Sequence, residues 1–484
     1  MVFSSTIFLF LFLPIVLFLY LLCGRKLRNL ILLSASLFFY AWGENLYVIL
    51  MLVSICLNYI FGLWIDRSQR AGAKGKIPLA LAIVANLGLL GFFKYANFLV
   101  ANLNGLLVKL EMSPITLQEV HLPIGISFFT FQALSYVIDL YRKESPVQKN
   151  PVNIALYISL FPQLIAGPIV RYNSIAAQIS ERSTRVEDVV YGVRRFIIGL
   201  GKKVLLANVM GRTADYIFSL PPDRIPMELA WLGAVSYTLQ IYYDFSGYSD
   251  MAIGLGRMFG FRFMENFNYP YISKSVREFW RRWHISLSSW FRDYLYIPLG
   301  GSRKGGARTY VNLLLVFFLC GLWHGASWTF VIWGFFHGSF LVLERTRLGK
   351  TLLKNMPGLL KHVYVLLVVI VGWVFFRSET FDYALGYLWA MVNFDTPPLY
   401  NSQIFININN EFYLAFLVAI VCSAPVYQVI TRFFDGLSEK QGGGQALIGG
   451  AWSLINGCFL GFIFLYSVAN ILGGAYNPFL YFRF

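Results

Sequence analysis

VNLLLVFFLCGLWHGASWTFVIWG, residues Val311–Gly334, decides how this chain folds and where its chemistry sits. The run from Val311 to Leu322 is apolar and uncharged, and with its flanks it approaches the roughly 20 residues that a helix needs to cross a hydrocarbon core. His324 stands 16 residues after Arg308, which closes the basic loop Arg303–Arg308. On a continuous helix that is about 24 Å, at about 1.5 Å per residue, so the imidazole is expected deep in the membrane. An ionisable side chain there costs several kcal/mol unless paired or hydrated, which makes it a functional candidate. Position alone fits two roles. One is a catalytic group, since an unperturbed pKa of about 6.5 suits proton transfer near neutrality and Gly321 and Gly325 let a substrate approach the backbone. The other is a structural histidine bonded to a neighbouring helix.

The rest of the chain has the same character. Of 484 residues, 57% are hydrophobic and 18% aromatic but only 13% are charged, about half the share of a soluble protein. Phe8–Cys23, Val48–Ile65, Leu79–Phe93 and Val363–Phe375 are further long apolar runs. The expected fold is an all-α polytopic integral membrane protein with about eleven transmembrane helices, forming one membrane-embedded domain over 1–484. The first run has no preceding basic residue and no small-x-small site after it, so it reads as a retained anchor rather than a signal peptide. Leu22 before Cys23 is too bulky for a lipoprotein cleavage site.

The formal charge of +16 resides in short loops, as membrane orientation requires, and does not call for nucleic acid. Arg25–Arg28, Arg67–Lys76, Lys274–Arg282 and Arg303–Arg308 are expected on the cytoplasmic side of the inner membrane, near anionic lipid, and the N-terminus on the periplasmic side. Ser275–Leu299 is too charged for an ordinary span, and its aromatic residues recur at helical spacing, so it is expected to be an amphipathic interfacial helix. Leu122-Pro123-Ile124-Gly125 and Pro162–Pro168 break apolar stretches. They are expected to be re-entrant or kinked elements, buried in protein or lining a wet cavity.

Five histidines and five cysteines are the reactive side chains to place. The cysteines form neither a CxxC pair nor a zinc-ligand pattern, so neither a disulfide framework nor a metal site is expected. Cys320, four residues before His324, fits either a reactive thiol or a small hydrophobe. His284 follows Arg281-Arg282 at the edge of an apolar face and taken alone reads as a surface histidine. His121 and His362 read as boundary residues, and His337 as a packing residue. Asp244 and Asp250 lie in the apolar stretch Trp231–Met258, six residues apart and so on different helix faces. Either one orients a histidine or arginine, or simply ties helices together. No phosphate-cradling loop, GxSxG elbow or paired-carboxylate motif occurs, so the histidines must carry any chemistry.

The segments REFWRRWHISLSSWFRDYLYIPLGG (Arg277–Gly301), GLWHGASWTFVIWG (Gly321–Gly334) and YYDFSGYSDMAIGLGRMFGF (Tyr242–Phe261) together resemble the membrane-bound O-acyltransferase family. MVFSSTIFLFLFLP (Met1–Pro14), FFKYANF (Phe92–Phe98), LPIGISFFTFQALSYVIDLYR (Leu122–Arg142) and FPQLIAGPIVRY (Phe161–Tyr172) resemble its bacterial polysaccharide O-acetylation branch. The resemblance is dense over 1–344 and loose beyond. It implies an intramembrane tunnel in which His324 matches the family's central histidine and His284 its second motif histidine. Asp244, Trp323, Gln163 and Tyr243 are then candidates to line or support the tunnel.

The implied reaction takes an acetyl group from a cytoplasmic donor, acetyl-CoA or another acyl thioester, with no bound cofactor. His324 would act as general base, and His284 would orient the donor or help protonate its thiolate. A covalent acyl-histidine relay stays open. Periplasmic partners of serine-esterase-like fold would then decorate an exported polysaccharide such as alginate. Peptidoglycan O-acetylation and D-alanyl transfer use the same family pattern. From a different class, a proton-coupled transporter or flippase would use Asp244 and Asp250 as a relay, but the inverted repeats expected of one are not found.

Overall fold

The computed structural model describes residues 1–303, 305–395, 408–438, 443–474 and 476–478, and among these there are helices and turns but no strand. In lipid, backbone N–H and C=O groups must be satisfied within the segment, which a helix achieves. Five helical stretches are long and apolar enough to cross a membrane: Arg25–Arg70, Lys76–Lys109, Gly306–His324, Gly358–Arg377 and Gly449–Leu472. A 3-10 turn at Asn45–Tyr47 divides the first into Arg25–Glu44 and Val48–Arg70. Asn410–Cys422 and Val426–Phe434, bent by 67°, together make a sixth. The other helices are shorter or carry more polar residues, as Met227–Met258 does.

Met227–Met258 is the central element, buried on every side from Ser236 to Gly256. It lies against Val186–Gly201 backbone to backbone. A Cβ on Gly199 would stand 2.6 Å from the Gly247 carbonyl, and one on Gly192 2.5 Å from that of Gly254. Small residues seven apart on both helices permit this approach, which in lipid must come from packing rather than hydrophobic drive.

The Pro/Gly-interrupted stretches are non-helical at 122–125 and nearly so at 160–171, and they meet. Gly125 has φ +76°, and a Cβ there would lie 2.8 Å from the Leu164 carbonyl. This is broken backbone buried in protein, as expected.

Ser275–Leu299 differs from its expectation. It is not one interfacial helix but two short ones, Val276–Arg282 and Ile285–Phe291, followed by the π-turn Arg292–Tyr296. Its face bearing Phe279, Trp280, Trp283 and Leu287 is buried in protein. Aromatic residues at helical spacing signal one apolar face but not the solvent it meets, nor the break at His284.

The chain ends place the loops relative to one another. The Met1 amine lies beside Gly43, and Glu44 meets His121 at 3.1 Å. The N-terminus therefore shares an end with the Gly43–Asn45 turn, one helix length from Arg25.

Candidate active site

His324 is the last residue of Gly306–His324, and Gly325, in extended conformation, ends the helix. Ser327 then caps Trp328–Arg345, accepting from the Thr329 N–H. Trp323-His324-Gly325-Ala326-Ser327 is thus a tight turn between two packed helices. They approach closely because Gly321 and Gly334 face each other, where a Cβ on Gly321 would collide with the Phe330 carbonyl. The His324 ring is gripped edge to face by Trp323, Trp333 and Phe376, at centroid distances of 5.0, 5.0 and 5.2 Å. Its nitrogens make no hydrogen bond to a described residue, and the side chain lines a cavity of about 70 Å³ with Lys94, Ser127, Ile165 and Trp323. The loop Leu122–Gly125 also lines that cavity.

Lys94 is, among the described residues, the one lysine, arginine or carboxylate side chain lining this space. Its ammonium donates to the Trp323 carbonyl, to the His324 carbonyl at 3.3 Å and to Ser127 Oγ at 3.3 Å. Tyr95 donates its hydroxyl to the Leu322 carbonyl at 2.7 Å. The last carbonyls of a helix have no partner within it and carry partial negative charge. Lys94 and Tyr95 satisfy three of them in succession, which fixes the helix end that presents the imidazole. The sequence reading noted FFKYANF only as a family segment. A lysine inside an apolar span was itself the missed signal.

His284 occupies the break between Val276–Arg282 and Ile285–Phe291 with φ +42°, a left-handed conformation that costs a β-carbon residue of order 1 kcal/mol or more. It is fully buried, not a surface residue. Asn266 holds the break open: its Oδ1 accepts from the Ser286 N–H at 3.2 Å and from Ser286 Oγ at 2.8 Å. A backbone N–H can only donate, so the amide orientation is settled, and His284 Nδ1, 3.1 Å from the same Oδ1, carries the proton. The neutral ring then keeps its lone pair on Nε2, which is buried with no partner among the described residues. The Trp323 ring adjoins both histidines, 6.1 Å from His284 and 5.0 Å from His324. Asn266 carried no sequence signal.

The remaining expected residues fall elsewhere. Asp244 pairs with Lys203 at 2.6 Å, and Asp250 with Arg195 at 2.7 Å and Lys202 at 2.8 Å. These bind the central helix to its neighbour, whereas Phe245, one residue on, packs against His284 at 4.6 Å. Tyr243 donates to the Ala419 carbonyl at 2.6 Å, away from the histidines. Gln163 donates to the Tyr157 carbonyl at 2.6 Å and supports the broken segment whose Ile165 lines the cavity. His337 is fully buried against Trp280 and Trp333. His362 Nδ1 lies 3.1 Å from the Ser273 carbonyl. All five cysteines are free, and no group of metal-ligating residues occurs among the described residues.

Fold and site together define a helical membrane protein with one imidazole lining a cavity and a second, tautomer-fixed imidazole behind a shared tryptophan. The family model for membrane-bound O-acyltransferases matches residues 79–377, and the chain belongs to that family. It is 42% identical to the probable alginate O-acetylase of Pseudomonas putida over the full length of both chains. It is 37% identical to the peptidoglycan O-acetyltransferase of Helicobacter pylori, over 81% of this chain and 80% of that one. It is 29% identical to the teichoic acid D-alanyltransferase of Bacillus subtilis, over 44% of this chain and 56% of that one. The protein is an acyltransferase.

Proposed function

We propose that the protein takes an acetyl group from acetyl-CoA on the cytoplasmic side of the inner membrane and gives it to a hydroxyl acceptor reached from the periplasmic side. The observation that carries this reading is the cavity in which the unpartnered His324 imidazole stands beside Lys94. Its volume of about 70 Å³ leaves room for an acetyl group beside the two side chains.

His324 removes the hydroxyl proton as the oxygen attacks the thioester carbon. The carbon–sulfur bond breaks, the acceptor leaves as its acetyl ester, and the proton passes to the thiolate. The Lys94 ammonium favours the negative charge that develops on the carbonyl oxygen, in a space where water screens little. His284 serves through Nε2 as a hydrogen-bond acceptor in the neutral ring, so protonating the thiolate would require that it first take up a proton. Orienting the donor is the role its resting tautomer suits directly.

Full-length similarity to a probable alginate O-acetylase favours an exported polysaccharide of that kind as the final acceptor. Periplasmic serine-esterase-like partners that complete the transfer are part of the proposal, carried by the family resemblance of the sequence alone. The peptidoglycan and D-alanyl readings rest on more distant relatives. A transporter is disfavoured because Asp244 and Asp250 are already ion-paired to cations. In a strain lacking this gene, the wild-type chain should restore base-released acetate on purified polysaccharide, and His324→Ala should not. Full acetylation by a well-expressed His324→Ala chain would sink the proposal.

A further inference from the structure

Arg25, Arg28 and Arg182 line one cavity, and among the described residues none of them meets an acid as several other arginines do. Arg195 pairs with Asp250 and Glu265, Arg257 with Asp188, Arg377 with Asp215 and Arg171 with Asp293. Among the described residues, Arg25, Arg28 and Arg182 have no carboxylate within ion-pair distance. They line a cavity of about 400 Å³, with Glu181 as its single acid and Asn29 and Ser183 as further polar walls.

Arg182 is held through both Nε and Nη1, the latter also donating to the Gln178 and Ile179 carbonyls at 3.4 and 3.3 Å. Its Nε donates to the Tyr20 hydroxyl at 3.1 Å and the Phe259 carbonyl at 3.0 Å, and Nη1 to Asn29 Oδ1 at 2.7 Å. Nη2 is buried with no partner. The Arg28 guanidinium shares the Tyr20 ring with it, at 4.9 and 5.6 Å from the ring centre. Two like charges on one ring cost free energy that a bound anion in the adjoining cavity would offset. The helix Arg25–Glu44 also begins here with no side-chain cap on its first N–H groups, which favours an anion further. Beside the cavity, Leu21, Leu22, Leu27 and Leu30 are 48–67% exposed, an apolar strip of the kind acyl chains cover.

We infer that this cavity binds a phosphate group, carried by an anionic phospholipid whose acyl chains lie along Leu21, Leu22, Leu27 and Leu30. The phosphate of a soluble nucleotide has the same chemistry, but the apolar strip favours the lipid. This inference does not depend on the acyl-transfer reading.

The test uses the purified full-length protein in phosphatidylcholine nanodiscs doped with phosphatidylglycerol, with bound lipid counted by native mass spectrometry. Arg25→Gln/Arg28→Gln alters residues at the cavity rim and should lower phosphatidylglycerol retention about tenfold, the loss expected for charge-assisted hydrogen bonds, with the thermal midpoint unchanged. Arg182→Gln should act in the same direction. Retention equal to wild type in the double variant would overturn the site. Displacement of the lipid by adenosine 3′,5′-bisphosphate would overturn the lipid as occupant and assign the phosphate site to a nucleotide.

Discussion

Lys94 and His324 are 230 residues apart in the chain, and the Lys94 ammonium donates to the His324 carbonyl at 3.3 Å. The same ammonium reaches the Trp323 carbonyl, so one side chain on Lys76–Lys109 fixes the helix end that carries the candidate base. Lys94 thus contributes both to the position of the imidazole and to the charge of the cavity.

Lys94→Met keeps length and apolar bulk but leaves the Trp323 and His324 carbonyls orphaned, at about 1–3 kcal/mol each. The thermal midpoint in detergent should fall, and acyl transfer by the protein that remains folded should fall at least tenfold. Wild-type turnover in a folded Lys94→Met protein would remove Lys94 from the reaction.

His284 offers a separable test, because its Nδ1 is committed to Asn266 and only Nε2 faces away from that bond. If it takes part in proton transfer, His284→Ala should lose about 10²–10⁴-fold, the usual contribution of one acid–base group. His284→Gln should be nearly as poor, since an amide cannot exchange a proton near neutrality. Asn266→Ala frees the tautomer and should lose activity in the same direction but less. Recovery of most activity by His284→Gln would reduce His284 to an orienting role.

The Asp244–Lys203 pair distinguishes enzyme from transporter. Asp244→Asn leaves a buried ammonium without its carboxylate and should cost about 3–5 kcal/mol of stability. Acyl transfer per folded molecule should stay within about twofold, and Asp244→Asn/Lys203→Met should recover part of the stability. A stable Asp244→Asn protein that loses proton-coupled uptake and never had thioester turnover would instead make the chain a transporter.

Sidedness follows from the ends that the structure brings together. With the native cysteines replaced, Leu46→Cys, beside Glu44, should react with an impermeant thiol reagent on intact cells. Ala307→Cys, in the first turn of the His324 helix, should react only after permeabilisation. The reverse pattern would invert the proposed path of the acyl group.

The sequence made the fold class and His324 legible because both rest on local physics: apolar runs of membrane length, and an imidazole at a computable depth in one of them. The helix is unbroken from Gly306 to His324, as that argument requires. Asn266 and the burial of His284 were illegible because they depend on contacts between segments distant in sequence. Phe279, Trp280, Trp283 and Leu287 read equally well as a membrane-surface face or a protein-facing one, and only the packing of Trp280 against Trp333 and of Trp283 against Phe245 and Trp373 decides. Lys94 was legible in principle, as a cation in an apolar span, but its role needed the carbonyls it meets.

The most direct test of the central claim is thiol release from acetyl-CoA by the purified protein, given a surrogate hydroxyl acceptor, for wild type and His324→Ala at matched folded concentration. The account predicts steady turnover by wild type and a loss of at least about 10²-fold in the variant. Equal thiol release by the two proteins would contradict it.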